Sequence, residues 1–256
     1  MSNTSKIAVV GATGRAGRHA VEFLADQGHE VVPISRSGGV DVITAEGLPE
    51  ALEGTDAVID AATGPSAEET AATEFFTTAA RNLQSYGERA SVRRLVVVSI
   101  IGADRFAGGY GAAKVAHERA SLEGQIPARI LRAAQFHEFV EQLVDWGRQE
   151  NGSSYVPRMR TQLVAARTVG ERLAELATDT AAPRAGEPIG ELAGPREESL
   201  AAVAKMLAER RGDPERVEET READEPTREV YESGALLPGP DAEFAGPTYR
   251  SWLDGS

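Results

Sequence analysis

Residues 7–17, with the sequence IAVVGATGRAG, decide how the beginning of this chain folds. The short apolar run Ile7–Val10 predicts a buried strand, and the amphipathic pattern over Arg15–Gln27 predicts a helix directly after the glycines. Between two such elements, one glycine permits a tight turn, another lets the backbone approach a pyrophosphate, and a third lets the helix pack closely on the strand. The N–H groups at the start of that helix carry partial positive charge, which attracts phosphates. The stretch therefore predicts a dinucleotide site, and the alternative is a glycine-rich turn that binds nothing.

The first half of the chain alternates short apolar runs with longer amphipathic ones, as in βαβ units. Apolar runs of this kind suit strands of a parallel sheet whose two faces are both covered by helices. The further predicted strands are Glu30–Ile34, Ala57–Asp60, Leu95–Ser99 and Ala128–Leu131, and the further predicted helices are Ala67–Gln84, Tyr110–Leu122 and His137–Arg148. These patterns predict an α/β fold with a doubly wound parallel sheet, which is the Rossmann fold of NAD(P)-binding proteins.

The second half of the chain has a different sequence pattern. Helical patterns continue at Val164–Ala177 and Leu200–Arg210, while clear strands become rare and proline and glycine become frequent. The stretch Glu209–Glu232 carries ten acidic and five basic residues, which predicts a solvated helix or loop. We expect an NAD(P)-binding domain over residues 1–150 and a smaller substrate-side lobe over residues 151–256, packed with the first domain as one unit.

The composition excludes several classes of protein. The 256 residues include no cysteine, which rules out disulfides, thiolate zinc sites, iron–sulfur clusters and a cysteine nucleophile. Forty acidic residues against 27 basic ones give a net charge of −13, and such a surface repels nucleic-acid phosphates and anionic lipids. His19, His29 and His117 show no spacing to one another and to acidic residues that is typical of metal ligands, so we expect no metal site.

The same reasoning gives expectations about location and partners. No apolar stretch approaches the roughly 20 residues that span a bilayer. The run Ile7–Val10 after the polar N-terminus is too short for the apolar region of a signal peptide. We therefore expect a cytoplasmic protein that acts on a small molecule, with no nucleic-acid or membrane partner. A homodimer is left open.

The end of the second predicted strand indicates which dinucleotide is bound. A site that prefers NAD usually places Asp or Glu there to hold the adenosine ribose hydroxyls. Here Ser35, Arg36 and Ser37 follow the strand, and no acidic residue comes before Asp41. A guanidinium flanked by hydroxyls fits the 2′-phosphate of NADP, and Arg15 offers a second positive contact. The sequence therefore predicts NADP in preference to NAD, and the alternative is an ordinary surface arginine in a turn.

A tyrosine and a lysine are the candidate catalytic pair. Tyr110 and Lys114 are four residues apart, so they lie on one face of a predicted helix and can reach the same ligand. A nearby ammonium would lower the pKa of the Tyr110 phenol and make it a usable proton donor or acceptor. Ser99 ends the preceding strand. The alternative is an ordinary helix start with a solvated tyrosine and lysine.

The glycine loop resembles the short-chain dehydrogenase/reductase superfamily, in whose extended and atypical branches the pattern GATGxxG follows the first strand. Residues 95–104, LVVVSIIGAD, and residues 129–139, RILRAAQFHEF, are similar to segments of NmrA-like NAD(P)H-binding proteins. The resemblance implies a Ser–Tyr-x-x-x-Lys constellation. In it, Tyr110 exchanges a proton with the substrate oxygen, Lys114 holds the nicotinamide ribose and tunes Tyr110, and Ser99 helps to polarise the carbonyl.

The expected contacts fall into two groups. The residues expected at the cofactor are Gly11, Thr13, Gly14, Arg15, Ala16, Gly17, Ser35, Arg36, Ser37, Ala61, Ala62, Thr63 and Lys114. The residues expected at the substrate follow the last predicted strand of the first half, where pockets of doubly wound sheets open, and are Gln135, Phe136 and His137. A structural role for His137 is the alternative.

Three functions are compatible with these residues. The first is an NADP-dependent oxidoreductase that passes hydride between the nicotinamide and a small carbonyl, quinone or conjugated alkene. The second is a redox sensor of the NmrA type, which binds NADP(H) without turning it over. The third, isomerase or sugar-nucleotide chemistry with a bound NAD(P), has no motif of its own in the second half of the chain.

Overall fold

The computed structural model describes residues 4–179, 189–221 and 225–255. In chain order the strands are β1 (Lys6–Val10), β2 (Glu30–Ile34), β3 (Ala57–Asp60), β4 (Arg94–Ile100), β5 (Ala128–Ala133), β6 (Ser153–Pro157), β7 (Arg160–Thr161), β8 (Ile189–Ala193), β9 (Glu198–Ser199), β10 (Arg216–Thr220) and β11 (Glu243–Phe244). The helices are α1 (Gly17–Asp26), α2 (Leu48–Leu52), α3 (Glu69–Arg89), α4 (Gly109–Leu122), α5 (His137–Trp146), α6 (Ala166–Thr178), α7 (Leu200–Arg211), α8 (Glu225–Ser233) and α9 (Tyr249–Gly255).

The chain divides into two compact units that interleave along the sequence. The first unit contains Met1–Ser99, Gly108–Arg132 and Arg167–Gly190, and the second contains Ile100–Ala107, Ala133–Ala166 and Glu191–Ser256. The division of roles expected at residue 150 stays a prediction, because compactness alone does not say which residues bind cofactor or substrate.

A parallel sheet forms the centre of the first unit. Its strands follow the order β5-β4-β3-β1-β2, and β1 is paired in parallel with both β2 and β3. Val10, the last residue of β1, is in register with Ile34 and Asp60, the last residues of its two neighbours. The residues that follow these three strands therefore begin at the same edge of the sheet. The predicted α/β class with a parallel sheet is confirmed.

Both faces of this sheet are buried, as the apolar runs predicted. Ala8 and Val10 belong to a core cluster together with Leu83 of α3, while Ile7 and Val9 point to the opposite face and are equally shielded from solvent. On α6, Gly170 lies so close to α1 that a Cβ atom there would be 2.5 Å from the Ala16 carbonyl oxygen. Close helix packing of this kind is what a glycine permits.

Gln84 is the buried polar group that joins α3 to the turn after α4. Its amide nitrogen donates to the carbonyl oxygens of Ser121 and Ile126 at 2.7 and 3.0 Å, and its oxygen accepts the Ile126 N–H at 2.9 Å. A Cβ atom at Gly124 would lie 2.0 Å from the Gln84 side chain, so the turn leaves room for this amide only because residue 124 is glycine.

The substitution Gln84→Leu is expected to lower the free energy of unfolding by about 3 kcal/mol, because it leaves three buried backbone groups without partners. Urea denaturation measures the change. Gln125→Leu, in the same turn but exposed, serves as the matched control and should change stability by less than about 0.5 kcal/mol. Equal stability of the two variants would show that the Gln84 hydrogen bonds contribute nothing net.

The second unit has its own core and its own small sheets. α5 and α7 pack on β6, and β6 pairs in parallel with β10. The strand β10 corrects one expectation, because part of the acidic stretch Glu209–Glu232 forms a strand with a buried Val217 and not a solvated helix or loop. Residues 222–224 of that stretch lie outside the described residues. In the described part of the chain, no helix is both long and apolar enough to cross a membrane.

Candidate functional site

The glycine loop after β1 has no space for side chains at two of its glycines. Gly11 has a φ of +72°, and a Cβ atom on it would lie 2.5 Å from the Ala61 carbonyl oxygen. A Cβ atom on Gly17 would lie 2.1 Å from the carbonyl oxygen of Gly11. The first glycine therefore sets the turn and its approach to the segment after β3, while Gly17 brings the start of α1 against the loop.

The N-terminus of α1 is open to an anion. Ala16 precedes the helix, no side chain caps its first N–H groups, and its first turn holds no acidic residue. Among the loop residues expected at the cofactor, Ala16 is buried, while Thr13 and Arg15 are exposed. The N–H groups of Arg18 and His19 donate to the carbonyl oxygens of Gly14 and Ala16, at 3.2 and 3.1 Å, and the helix dipole favours a phosphate at this position.

The turn after β2 presents Arg36 beside the glycine loop. The N–H groups of Gly11 and Ala12 donate to the carbonyl oxygen of Ile34, at 3.1 and 3.4 Å, so the loop and the turn start side by side. Ser35 Oγ accepts the Gly38 N–H at 3.2 Å and lies 3.1 Å from Ser37 Oγ, which orders the turn.

The Arg36 side chain is exposed, and its guanidinium has no hydrogen-bonding or ionic partner among residues 4–179, 189–221 and 225–255, while its backbone carbonyl accepts the Gly39 N–H at 3.1 Å. Asp41, the first acid after β2, accepts the N–H groups of Ile43 and Thr44 through Oδ1, at 2.7 and 3.3 Å. That carboxylate stabilises its own turn. Arg36 is thus the first charged side chain after β2, and a guanidinium can hold a 2′-phosphate.

The segment after β3 lies against the glycine loop. Ala61 and Ala62 are buried and Thr63 is exposed. Asp60 Oδ1 accepts the Ala62 N–H at 3.1 Å, which fixes the backbone of the segment where it passes Gly11. The three residues expected at the cofactor here thus have a defined backbone course, held by a carboxylate at the strand end.

Tyr110 and Lys114 are brought together around one aromatic ring. The ring of Phe76, on α3, meets the Tyr110 ring edge to face at 5.7 Å, and Lys114 Nζ lies 4.3 Å from the centroid of Phe76. The start of α4 is fixed because the Gly109 N–H donates to Glu69 Oε2 at 2.6 Å. The expected helical face that carries both Tyr110 and Lys114 is present.

The direction of the Tyr110 pKa shift corrects the sequence analysis. Burial raises the pKa of the half-buried Tyr110 phenol above its usual value, whereas a neighbouring ammonium was expected to lower it. The physical reason is that Lys114 is engaged elsewhere, with Nζ donating to the Val98 carbonyl oxygen at 2.8 Å and to His117 Nδ1 at 3.0 Å. Tyr110 is therefore a protonated phenol at neutral pH.

Ser99 lies at the end of β4, directly after the carbonyl that Lys114 holds. Its side chain is 1% exposed, and its Oγ has no hydrogen-bond partner within the described residues. Such a hydroxyl keeps both its donor and its acceptor available for a ligand.

The three residues expected at the substrate belong to the second unit. Gln135 Oε1 accepts the Thr161 hydroxyl at 2.8 Å, and Phe136 directly precedes α5. His137 is buried and donates from Nε2 to the Pro247 carbonyl oxygen at 3.2 Å, and burial lowers its pKa to about 4. His137 is therefore neutral at physiological pH and cannot act there as a proton donor in its charged form. Contacts of these three residues with a substrate stay predictions.

Sequence reasoning missed three members of the site, namely Asp60, Phe76 and His117. His117 carried a local signal, since it follows Lys114 by three residues and so shares its helical face. Asp60 also carried one, as a carboxylate at the end of an otherwise apolar strand. Phe76 carried none, because nothing within α3 marks it among the other apolar residues. Within the described ranges, no three His, Asp or Glu side chains form a group able to hold a metal ion.

Comparison with known proteins indicates a dinucleotide-binding domain. Residues 11–132 match the family model described as NAD(P)H-binding. A curated relative, the photosystem II assembly factor Ycf39 of Synechocystis, is 31% identical over 115 residues, which are 40% of this chain and 35% of that protein. A second curated match spans 24% of its protein, so this chain matches about a third or less of the curated relatives' length.

Two solved structures share the fold over almost the whole chain. The NADPH-dependent quinone oxidoreductase QOR2 of Escherichia coli, complexed with NADPH, has a TM-score of 0.70 and 16% identity, covering 97% of this chain and 99% of that one. The enzyme WbmG of Bordetella bronchiseptica, in complex with NAD, has a TM-score of 0.71 and 16% identity over 99% and 95% of the two chains. Residues 11–132 thus match an NAD(P)H-binding model, and the Rossmann-type α/β fold and the resemblance to NAD(P)H-binding proteins that the sequence predicted are confirmed.

Proposed function

We propose that this protein is an NADP-dependent oxidoreductase that transfers hydride between the nicotinamide and a small carbonyl, quinone or conjugated alkene. The observation that carries the proposal is that one compact unit holds both an anion-binding glycine loop and the Tyr110–Lys114 pair around Phe76. A protein that only needed the fold would not require a buried lysine beside an available phenol, because burying an amine is unfavourable without compensation.

The residues present fit a bound NADP. The loop from Gly11 to Gly17 leads directly into α1, whose dipole attracts phosphates, and these two glycines let the loop pack closely against the segment after β3 and the start of that helix. Arg36 supplies an unpaired guanidinium for the 2′-phosphate, and Arg15 adds positive charge. The nicotinamide, when bound, supplies or accepts the hydride.

The chain's own residues would handle the proton. Since burial raises its pKa, Tyr110 keeps its proton at neutral pH and can donate it to a substrate oxygen that gains charge during reduction. Ser99 can donate a hydrogen bond to the same oxygen, because its hydroxyl has no other partner among the described residues. The protonated Tyr110 favours the reductive direction over the oxidative one, which needs a base.

A sensor that binds NADP(H) without turnover is the second candidate function. The observation in its favour is that Lys114 donates to Val98 and His117 while the pKa of Tyr110 is raised, so that the phenol is not activated as a base. The two functions share the glycine loop and Arg36. Turnover, and its dependence on Tyr110, separates them.

The substitution Arg36→Ala tests the cofactor preference. In the wild-type protein we expect tighter binding of NADPH than of NADH. Removal of the guanidinium should weaken NADPH binding by roughly 10- to 100-fold, the value of a lost charge-assisted hydrogen bond, and change NADH binding by less than about twofold. Titration of each dinucleotide by nicotinamide fluorescence measures both constants.

Arg89→Ala, at an exposed arginine at the end of α3, is the matched control and should change neither constant. Equal weakening of both dinucleotides by Arg36→Ala would mean that Arg36 does not contact a 2′-phosphate. Absence of binding of either dinucleotide to the wild-type protein would remove the oxidoreductase and the sensor together.

A further inference from the structure

Lys114 belongs to a buried hydrogen-bond network that also contains His117 and Asp60, called here the Asp60–His117–Lys114 network. His117 Nε2 lies 2.9 Å from Asp60 Oδ2, and Lys114 Nζ lies 3.0 Å from His117 Nδ1. The three residues are 1%, 0% and 4% exposed in the order Asp60, His117, Lys114. Three ionisable groups in contact, all removed from solvent, are unfavourable unless they compensate one another.

The hydrogen bonds fix which atoms carry protons. Lys114 is a donor only, so His117 Nδ1 accepts, and its Nε2–H donates to the Asp60 carboxylate. Burial opposes ionisation of Asp60, but the hydrogen bond from His117 holds its pKa below the usual value. Burial and the adjacent Lys114 lower the pKa of His117, which is therefore neutral. The Asp60–His117–Lys114 network thus consists of a carboxylate, a neutral imidazole and an ammonium.

Phe76 covers one side of the Asp60–His117–Lys114 network. Its ring stacks on the His117 imidazole with centroids 4.8 Å apart and an interplanar angle of 19°, and Lys114 Nζ lies over the same ring. The aromatic face excludes water and attracts the ammonium. Asp60 and His117 are therefore confined to one arrangement relative to Lys114.

Both ends of the Asp60–His117–Lys114 network bind the backbone of segments that are expected to contact the cofactor. At one end, the second oxygen of Asp60 holds the Ala62 N–H in the segment that passes Gly11. At the other end, Lys114 Nζ holds the Val98 carbonyl oxygen directly before Ser99. With two of its three N–H groups donated to Val98 and His117, the ammonium keeps one donor for a ligand.

We propose that Asp60 and His117 are positioning residues for Lys114, which hold its ammonium in place and in its charged form so that it can bind the dinucleotide. The proposal rests on the proposed function, since it assigns Lys114 to the cofactor. His117 acts as the rigid connector, and Asp60 supplies the compensating negative charge. Neither residue touches the cofactor through its side chain.

Other charged groups around Lys114 are few. On its own helix, Glu118 also favours the ammonium, but that carboxylate is bound by Arg132 of β5 through two hydrogen bonds of 2.8 Å. β3 contributes Asp60, α4 contributes His117 and Tyr110, and α3 presents the uncharged Phe76. Asp60 is therefore the carboxylate whose removal changes the charge state of Lys114 most directly.

The expected pH dependence follows from the charge of Lys114. Burial lowers the pKa of Lys114 to about 8, and Asp60 and Glu118 oppose that shift. Binding that uses the ammonium is complete below this pKa and weakens as the pH rises through it. Removing the negative charge at residue 60 lowers the pKa further, so the weakening must begin at a lower pH.

The test is NADPH affinity, measured by fluorescence from pH 6 to pH 10 in variants of the full chain. Asp60→Asn should lower the affinity at pH 7.5 about tenfold and move the midpoint of the pH-dependent weakening down by about one pH unit or more, the shift expected for a neighbouring charge. Asp56→Asn is the matched control, because Asp56 precedes the same strand at its other end and holds the Lys6 N–H and Arg93. The control should keep the wild-type pH profile, whatever stability it loses with those two contacts.

Two variants of His117 test whether its hydrogen bonds, and not only its size, are needed for NADPH affinity. Gln at position 117 can accept from Lys114 and donate to Asp60, so His117→Gln should keep most of the affinity at pH 7. Leu cannot do either, so His117→Leu should behave like Asp60→Asn. An affinity loss of the same size in both variants, or a wild-type pH profile in Asp60→Asn, would overturn the proposal.

A readout without cofactor distinguishes this inference from the proposed function. Nitrogen-15 NMR of the histidine rings should show His117 as the neutral Nε2–H tautomer at pH 7, and Lys114→Met should change the chemical shift of its Nδ1. A protonated His117 or an Nδ1–H tautomer would overturn the inference, even if NADPH binds. Failure of the wild-type protein to bind NADPH at any pH, with the expected His117 tautomer, would overturn the proposed function and leave the Asp60–His117–Lys114 network a purely structural one.

Discussion

The substitution Tyr110→Phe is expected to lower the rate of NADPH-dependent reduction by about 10²- to 10⁴-fold, the usual contribution of a positioned general acid. The hydroxyl is the only part removed, and the ring keeps its edge-to-face contact with Phe76, so the fold and the cofactor affinity should stay as in the wild-type protein. The measurement is NADPH oxidation with a panel of small quinones and carbonyls, alongside NADPH titration of the same preparation.

Tyr86→Phe is the matched control for this experiment. Tyr86 lies in α3, where its ring contacts the Arg89 guanidinium at 5.1 Å, away from the candidate pair. That variant should reduce substrates at the wild-type rate. Equal turnover by Tyr110→Phe would remove Tyr110 from the mechanism. Tight NADPH binding by the wild-type protein without turnover of any compound in the panel would favour the sensor over the enzyme.

The direction of the reaction is open to the same experiment. Because the pKa of Tyr110 is raised, its phenolate is rare at neutral pH, and oxidation of an alcohol that needs a base should be slower than the reverse reduction. With the cofactor kept saturating at each pH, the oxidative rate, but not the reductive one, should then rise with pH above neutrality. An oxidative rate that is already maximal at neutral pH would contradict the protonated phenol.

The parts of the fold that are set by local pattern were predictable from the sequence. β2 and β3 have the predicted bounds, and α4 begins one residue before its prediction, at Gly109. Each of these elements has a regular spacing of apolar residues along its own segment, and glycine or polar residues mark its ends. The glycine loop was predictable for the same reason, since its signal lies within one stretch of seven residues.

The parts that depend on contacts between distant residues were not predictable. Asp60 and His117 are 57 positions apart, and only the parallel order of the sheet places the end of β3 beside α4. β10 could not be predicted as a strand because only Val217 is buried and its other four residues are polar, namely Arg216, Glu218, Glu219 and Thr220. The Tyr110 pKa was predicted in the wrong direction because the sequence gives the spacing of Lys114 but not the partners of its ammonium.

The substitution Gly17→Ala is expected to disable the phosphate site more completely than loss of any side chain there. The added methyl group would lie 2.1 Å from the Gly11 carbonyl oxygen, which is backbone and cannot rotate away. α1 must then shift from the loop, and its N–H groups lose the position in which they face a phosphate. We expect NADPH affinity to fall by about 100-fold, and the free energy of unfolding to fall by about 1–3 kcal/mol as in other overpacked sites.

Two glycine variants provide the scale for that result, read by NADPH titration and urea denaturation. Gly14→Ala places its methyl group 3.1 Å from the same Gly11 oxygen, a contact that a small shift relieves, so its effects should be intermediate. Gly190→Ala meets nothing within 4 Å and should bind NADPH normally. The order Gly17, Gly14, Gly190 follows from the backbone distances alone. Wild-type affinity in Gly17→Ala would mean that the dinucleotide does not use the start of α1, and the glycine loop would then be a packing device between strand and helix.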